Sequence, residues 1–399
     1  MRKLGVLLFF LAVQGAFAQS TTLLIARNIG KKILDDGTEI RTFGYATKLS
    51  ENPDIPGPTL IYEQGDSVII DMWNVSQGAP HTIHLHGLDV NQQNDGVPHL
   101  SFDVEHMDHG LYRFKAPHPG TYLYHCHVVS AIHVQAGMYG MLIIKPKGSD
   151  HITWEGGYTF SRDYNFLLSE IDTNWHTDEH LLHPLGHVKI KVPPYNPTYF
   201  LVNGLSGSQL KSENKKMFER NENTFLRLAN IGYYANKYVF PDQLNATVIS
   251  SDGRPLPETL ISDTLTIFPG ERYGVLVNSS TLDDDSIPIE YLNLNTLSAE
   301  GTEYIRYQVV EELSANTFSP AWLQVFPNPF TSSLKLRNLG NEDIRNIAIY
   351  TLSGQLVYTD AAKYNSSVVL QLGHLAAGSY LMKVTTESGN EIRRKLHKF

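Results

Sequence analysis

The 399-residue sequence holds a single cysteine, Cys126, set between His125 and His127, with His133 and Met138 downstream. Upstream, His81-Thr82-Ile83-His84-Leu85-His86-Gly87 gathers three more histidines. A thiolate, imidazoles and a thioether form the donor set of a blue-copper centre. Side chains alternate faces along a strand. On that geometry His84 and His86 share a face, as do His125 and His127, while Cys126 points to the opposite side of its strand. His81 is odd-spaced from the His84–His86 pair and is expected on the cysteine's side. The spacing predicts two joined sites: His81, Cys126 and His133 with axial Met138 in one, and the paired imidazoles His84, His86, His125 and His127 in the other. A free cysteine is ordinarily a small buried hydrophobe, and lone histidines are common in cores. Six histidines at these intervals around the only cysteine favour a metal.

The elements that must position these residues read as strands. Short alternating stretches such as Val68-Ile69-Ile70-Asp71-Met72 are bounded by Gly, Pro, Asn and Asp, and long amphipathic helical patterns are scarce. The chain is therefore expected to be all-β, built from sandwiches or barrels. One cysteine cannot form a disulfide within the chain, so stability must come from hydrophobic cores, and the length leaves room for two or three. Arg2 and Lys3, the apolar run Leu4 to Val13, and Ala16-Phe17-Ala18 read as an export signal over residues 1–18, with the mature chain beginning near Gln19. The net charge of −9 and the lack of a long basic run argue against nucleic acid and anionic membranes as partners. Breakers divide the remainder into a histidine-rich domain over 19–149, a second domain over 150–312, a linker over 313–324 and a last unit over 325–399.

The first domain resembles the cupredoxin domains of multicopper oxidases. Ile55-Pro56-Gly57-Pro58-Thr59-Leu60, Gly65-Asp66, His84-x-His86-Gly87 and Asp95-Gly96-Val97-Pro98 carry the match. The resemblance implies type 1 copper at His81, Cys126, His133 and Met138. It implies type 2 copper at His84 and a type 3 pair at His86, His125 and His127. By the same analogy Asp95 relays protons; alternatively it only makes the Asp95-Gly96 turn. The second domain, through Tyr199-Phe200-Leu201-Val202-Asn203-Gly204, Asp252-Gly253 and Phe268-Pro269-Gly270-Glu271-Arg272, resembles the copper-free middle domain of three-domain members. The implied architecture is two cupredoxin-like Greek-key β-barrels followed by a small β-sandwich. Val325-Phe326-Pro327-Asn328-Pro329-Phe330, Ile349 to Val357 and Ala377-Gly378-Ser379-Tyr380-Leu381 make the last unit similar to type A sorting domains of the type IX secretion system. That implies passage through the outer membrane and a secreted or cell-surface location.

Two departures bear on function. His133 follows Cys126 by seven residues, where many laccases use five, and the interval from His133 to Met138 resembles copper nitrite reductases. Nitrite reductase type 2 ligands would map to His86 and His125. However, His84 stands where those enzymes use a catalytic aspartate, and His127 follows the cysteine. A family cluster takes four His-x-His pairs, and this chain supplies two. Two first domains from different chains could complete it across a two-fold axis. Alternatively His176, His180, His183 and His187 could contribute, although Pro184 and Gly186 oppose a continuous helix. His99, His106, Met107 and His109, beside Asp103, Glu105 and Asp108, form a softer cluster that reads either as a polar loop or as a guide for cuprous or ferrous ions.

The sequence thus predicts an exported copper oxidase, laccase-like or metallo-oxidase. It would oxidise a phenolic or metal-ion donor by single electrons and reduce oxygen to water, as a homo-oligomer handled by type IX secretion machinery. The alternatives are a blue-copper electron-transfer or copper-binding protein, and a nitrite reductase-like enzyme.

Overall fold

The computed structural model describes residues 19–78, 80–182, 192–311, 323–338, 342–351, 355–361, 363–389 and 391–398. The export signal at 1–18, His183 and His187, and most of the 313–324 linker lie outside the described residues. The chain divides between Glu311 and Glu312 into two compact units.

The first unit opens with β1 (Gln19–Ile33), β2 (Glu39–Ala46), β3 (Leu60–Glu63), β4 (Ser67–Asn74), β5 (His84–His86), β6 (His109–Lys115), β7 (Gly120–His125), the short helix α1 (Ser130–Gln135) and β8 (Tyr139–Lys145). They form two four-stranded sheets, ordered β2-β1-β4-β6 and β3-β8-β7-β5. The alternation read in β4 holds: Val68, Ile70 and Met72 are buried while Ile69 and Asp71 are half-buried. Burial of this apolar face drives the packing, at roughly 25 cal/mol per Å² removed from water.

The rest of the unit adds β9 (Arg162–Ile171), β10 (Tyr199–Val202), β11 (Lys216–Glu219), β12 (Thr224–Asn230), β13 (Ala235–Val239), β14 (Thr247–Ser251), β15 (Arg254–Ile261), β16 (Thr264–Ile267), β17 (Arg272–Val277), β18 (Asp283–Leu292) and β19 (Ala299–Val310). These make a six-stranded sheet, β10-β9-β12-β17-β14-β15, facing a five-stranded one, β11-β19-β18-β13-β16. Asp252 (φ 49°) and Gly253 (φ 76°) join β14 to β15, and positive φ at both turn positions suits a tight hairpin.

The sheet β3-β8-β7-β5 is buried on both sides. Leu85, Tyr124, Cys126, Leu142 and Ile144 enter the first domain's own core. Leu123, Met141 and Ile143 enter a separate core with Leu167, Leu201, Ala229 and Ile231 of the second domain. The unbroken apolar run Met141-Leu142-Ile143-Ile144 follows from that double burial.

The C-terminal unit is a three-stranded and a four-stranded sheet. Its core includes Leu334, Leu336, Ile347, Ile349, Tyr380, Met382 and Val384, alternate positions along three of its strands.

Candidate metal centre

The segment that precedes β5 is held by side chains rather than by a sheet ladder. His81 forms an isolated bridge with Val104, with N–H···O distances of 3.1 and 2.9 Å. The buried Tyr45 hydroxyl donates to the Thr82 carbonyl, and the Ile83 N–H donates to the Tyr112 hydroxyl at 3.0 Å. Thr82 Oγ1 accepts the His127 N–H at 2.8 Å, tying this segment to the cysteine strand. Buried tyrosine hydroxyls need such partners, and here they fix the histidine motif.

Beyond β7, Cys126 N–H donates to the Met138 carbonyl at 3.0 Å. The interval between Cys126 and His133 is filled by Val129, in the left-handed region at φ 43°, and by α1, which carries His133. Cys126 Sγ lies 3.3 Å from His133 Nδ1 and 3.8 Å from His81 Nδ1. His81, Cys126, His133 and Met138 are all at most 1% exposed, and the ring of Phe43 packs on both histidines, at 6.3 and 5.7 Å between centroids. Burial pushes the Cys126 thiol up to about 11.

On the other face His84 pairs directly with His125 across β5 and β7, and His86 with Leu123. His86 Nδ1 is 3.3 Å from His125 Nε2. The donor atoms of His84, His86 and His125 all fall within 4.8 Å of one another, as do those of His81, Cys126 and His133. His127 stands at the margin of the triad, its ring centroid 5.4 Å from His84 and 6.1 Å from His125. His125 Nδ1 sits 3.0 Å from the Cys126 carbonyl oxygen. That contact and the His125–Cys126 peptide bond connect the two groups directly. Burial holds His125 down at about 3. Burial first, then the Arg272 guanidinium, holds His86 at about 4. Neutral imidazoles are the form that binds metal.

The residues present fit copper. Burial keeps the Cys126 thiol neutral beside two buried imidazoles, with all three donor atoms converging on one point. A bound cation would displace the thiol proton and take the thiolate as a ligand. The soft sulfur with two nitrogens matches a blue-copper set, and three imidazoles on the other face match a nitrogen-ligated copper site.

The other histidines lie elsewhere. His176 is buried in a 3-10 turn with Nδ1 2.7 Å from the Arg41 carbonyl oxygen, and His180 bonds Thr177 at 2.7 Å. His106 bonds the Ser76 carbonyl at 2.7 Å, and His109 bonds Asp71 at 2.7 Å while stacked on Trp73. His99 and Met107 are exposed. None of these joins a metal-sized group among the described residues. Asp95 lies beside the triad. Its carbonyl oxygen is 2.8 Å from His84 Nδ1 and its carboxylate 3.4 Å. Gly96 is required there, because it has φ 81° and a Cβ would sit 2.0 Å from the Ile83 oxygen. Sequence reading missed Phe43, Tyr45 and Tyr112, whose aromatic character signals only core. It also missed Gly270 and Arg272, which adjoin His86 and Gly87 although they are some 185 residues away in the chain.

Multicopper oxidase family models match residues 40–149 and 166–299, together more than half of the chain, and a secretion system C-terminal sorting domain model matches 324–398. Copper resistance protein A of Escherichia coli is 28% identical over 269 residues, covering 65% of this chain and 40% of that protein. The chain spans less than half the length of the curated relatives it matches. Blue copper oxidase of Nitrosomonas europaea aligns with a TM-score of 0.59 at 26% identity, over 76% of this chain and 90% of that one. Copper nitrite reductase of the same organism aligns with a TM-score of 0.56 at 15% identity, over 73% and 94%, a likeness of fold. The two cupredoxin-like domains, the paired donor groups on opposite faces of one sheet and these matches lead to one conclusion: the chain belongs to the multicopper oxidase family and ends in a secretion-system sorting domain.

Proposed function

We propose that this protein is an exported copper oxidase that takes single electrons from a phenolic or metal-ion donor and uses them to reduce oxygen to water. His81, Cys126, His133 and Met138 would hold type 1 copper, and His84, His86, His125 and His127 would supply half of a type 2/type 3 cluster. Copper bound at these positions supplies one-electron redox chemistry. The chain's own residues set the conditions for it. The dry pocket around Cys126 excludes water and fixes both imidazoles. The Cys126 backbone carries the thiol on one face and His125 on the other, joined by one peptide bond and the 3.0 Å contact to the carbonyl. Asp95, 3.4 Å from His84 Nδ1 and partly exposed, would exchange protons with solvent.

The observation that carries this reading is the division of donors into two separate groups where β7 ends, one around Cys126 and one around His125. A blue-copper carrier would need only the buried face, and the imidazole triad would then have no task. The half-complement of histidines keeps the carrier reading as the alternative. The missing half would come from a second chain approaching the open edge at β5, where His84 keeps 19% of its side chain exposed. The C-terminal unit would direct the protein through type IX secretion to the medium or the outer surface.

The decisive experiment measures copper per chain on the native oligomer, with absorption and EPR spectra that separate type 1 from other copper. The oxidase reading expects more than one ion per chain and oxygen uptake that is lost in His84→Ala but kept in His180→Ala. One type 1 ion per chain and no oxygen uptake would leave the electron carrier.

A further inference from the structure

The second domain has no His-x-His pair, yet two of its residues border the imidazole face. A Cβ on Gly270 would lie 3.1 Å from His86 Cε1 and 3.3 Å from its Nε2. A Cβ on Gly87 would lie 2.0 Å from Arg272 Nη2. Gly87 also has φ 81°. The residue after His86 is therefore glycine for two separate reasons: its backbone lies in the left-handed region, and the guanidinium takes the space of a side chain.

Arg272 is almost fully enclosed, with 5% of its side chain exposed. Its Nη1 donates to the Gly270 carbonyl at 2.7 Å and pairs with Asp252 Oδ1 at 2.8 Å, and its Nε donates to the Thr121 carbonyl at 3.4 Å. Thr121 lies on β7, the strand that ends in His125. One guanidinium thus ties the strand bearing His125 to the loop that borders His86, and packs on the backbone that follows His86. His86 and His125 are themselves in contact, at 3.3 Å. We propose that Arg272 is a positioning residue of the metal centre: through Gly270 and Gly87 it fixes the His86 imidazole relative to His125. The second domain then works as the wall of the imidazole site. The inference rests on the reading of His84, His86 and His125 as metal ligands.

The planar fork is what makes this possible, because a lysine ammonium cannot reach the strand and loop acceptors together. Arg227 is the natural control. It is also buried between the domains and also approaches Thr121, at 3.4 Å to the side-chain oxygen, but its stronger bonds go to Asp163, at 2.9 Å.

The test titrates the full chain with cupric ion. It follows type 1 absorption and, because a coupled cupric pair is EPR-silent, the non-blue copper by metal analysis of copper retained per chain as well as by EPR, with thermal unfolding measured alongside. Arg272→Lys and Arg272→Gln are expected to keep the type 1 absorption. Their affinity for the non-blue copper should fall about 10- to 100-fold, the range for groups that orient a ligand. Gly270→Ala, which presses on the His86 ring and leaves the charge in place, should weaken the same non-blue copper. Arg227→Gln should lower the melting temperature without changing either copper signal. Wild-type affinity and spectrum in Arg272→Lys and Gly270→Ala would overturn the inference, as would equal weakening in Arg227→Gln. A wild-type chain that binds only type 1 copper would overturn the metal-ligand reading itself, a result visible before any variant is made.

Discussion

At the scale of single residues, the chemistry concentrates in side chains that water cannot reach. Cys126 is the clearest case. Its thiol is held protonated by burial, up to about 11, so only a cation in the pocket can draw out the thiolate. Cys126→Ser should abolish the visible absorption of the copper-loaded protein and lower copper by one ion per chain, measured by metal analysis. Retention of the colour would remove Cys126 from the site. Glu170 makes a different use of burial. It is 1% exposed, and its Oε1 accepts from the Tyr233 and Tyr234 N–H groups and the Tyr195 hydroxyl. Oε2 is buried without a hydrogen bond. Burial raises this carboxyl from 4.5 to about 7. Between those two values the folded state holds a proton that the unfolded chain has released, so stability falls as pH rises through that window. Glu170→Gln should flatten this slope in melting curves recorded across and just above it. On the alkaline side it should stabilise the protein by a few kcal/mol, since each factor of ten in proton affinity is about 1.4 kcal/mol. An unchanged slope would refute the assignment.

At the scale of elements, loops and one short helix decide the geometry. The seven residues from Cys126 to His133 are accommodated by α1, and the second domain grips that helix from outside. Tyr233 donates its hydroxyl to the Ala131 carbonyl, and buried Gln135 donates to the Glu170 carbonyl at 3.0 Å and accepts the Asp172 N–H at 2.8 Å. Gln135→Leu strands the buried Asp172 N–H, at a cost of roughly 1–3 kcal/mol, and leaves the Glu170 carbonyl only the longer bond from the Tyr195 hydroxyl, at 3.4 Å. The variant should melt at lower temperature and move the type 1 absorption band, because His133 loses its support. A band at the wild-type position would show that the helix is held by other contacts. Two motifs that looked independent in the sequence also touch. Gly204, at φ 79°, lies so close to the Ile55 carbonyl that a Cβ would come within 1.8 Å. Gly204→Ala should cost about 2–4 kcal/mol in denaturant unfolding, by forcing the domains apart at that point. A loss below about 1 kcal/mol would mean the loop simply moves aside.

At the scale of the whole molecule, division of labour follows the cores. The two candidate donor groups and their supports all lie before Glu311, and the C-terminal unit has a hydrophobic core of its own. Truncation after Glu311 should therefore leave copper content and spectra unchanged in the purified protein while abolishing export. Altered spectra would implicate the last unit in the site. If chains share the cluster, sedimentation should show an oligomer that weakens when copper is removed, and His84→Ala should weaken it likewise. An assembly indifferent to both would leave each chain with its own incomplete set.

The sequence by itself determined how the candidate donor side chains divide into two groups. Strand alternation is a local rule, so the opposite facing of Cys126 and its flanking histidines was legible from spacing alone. So was the all-β class. His81 joins the cysteine as expected, although it stands in an isolated bridge outside β5 and not on a regular strand. The histidines at 99, 106, 109, 176 and 180 could not be assigned from composition. Whether a histidine meets other donors depends on contacts between distant segments, and each of these is absorbed by a nearby carbonyl, a side chain or solvent. The tertiary structure alone decided where the imidazole face looks. It lies on the side of the sheet that packs against the second domain, so Gly270 and Arg272 border His86 and Gly87. That follows from the burial of β3-β8-β7-β5 on both faces, a long-range packing outcome that no local spacing encodes.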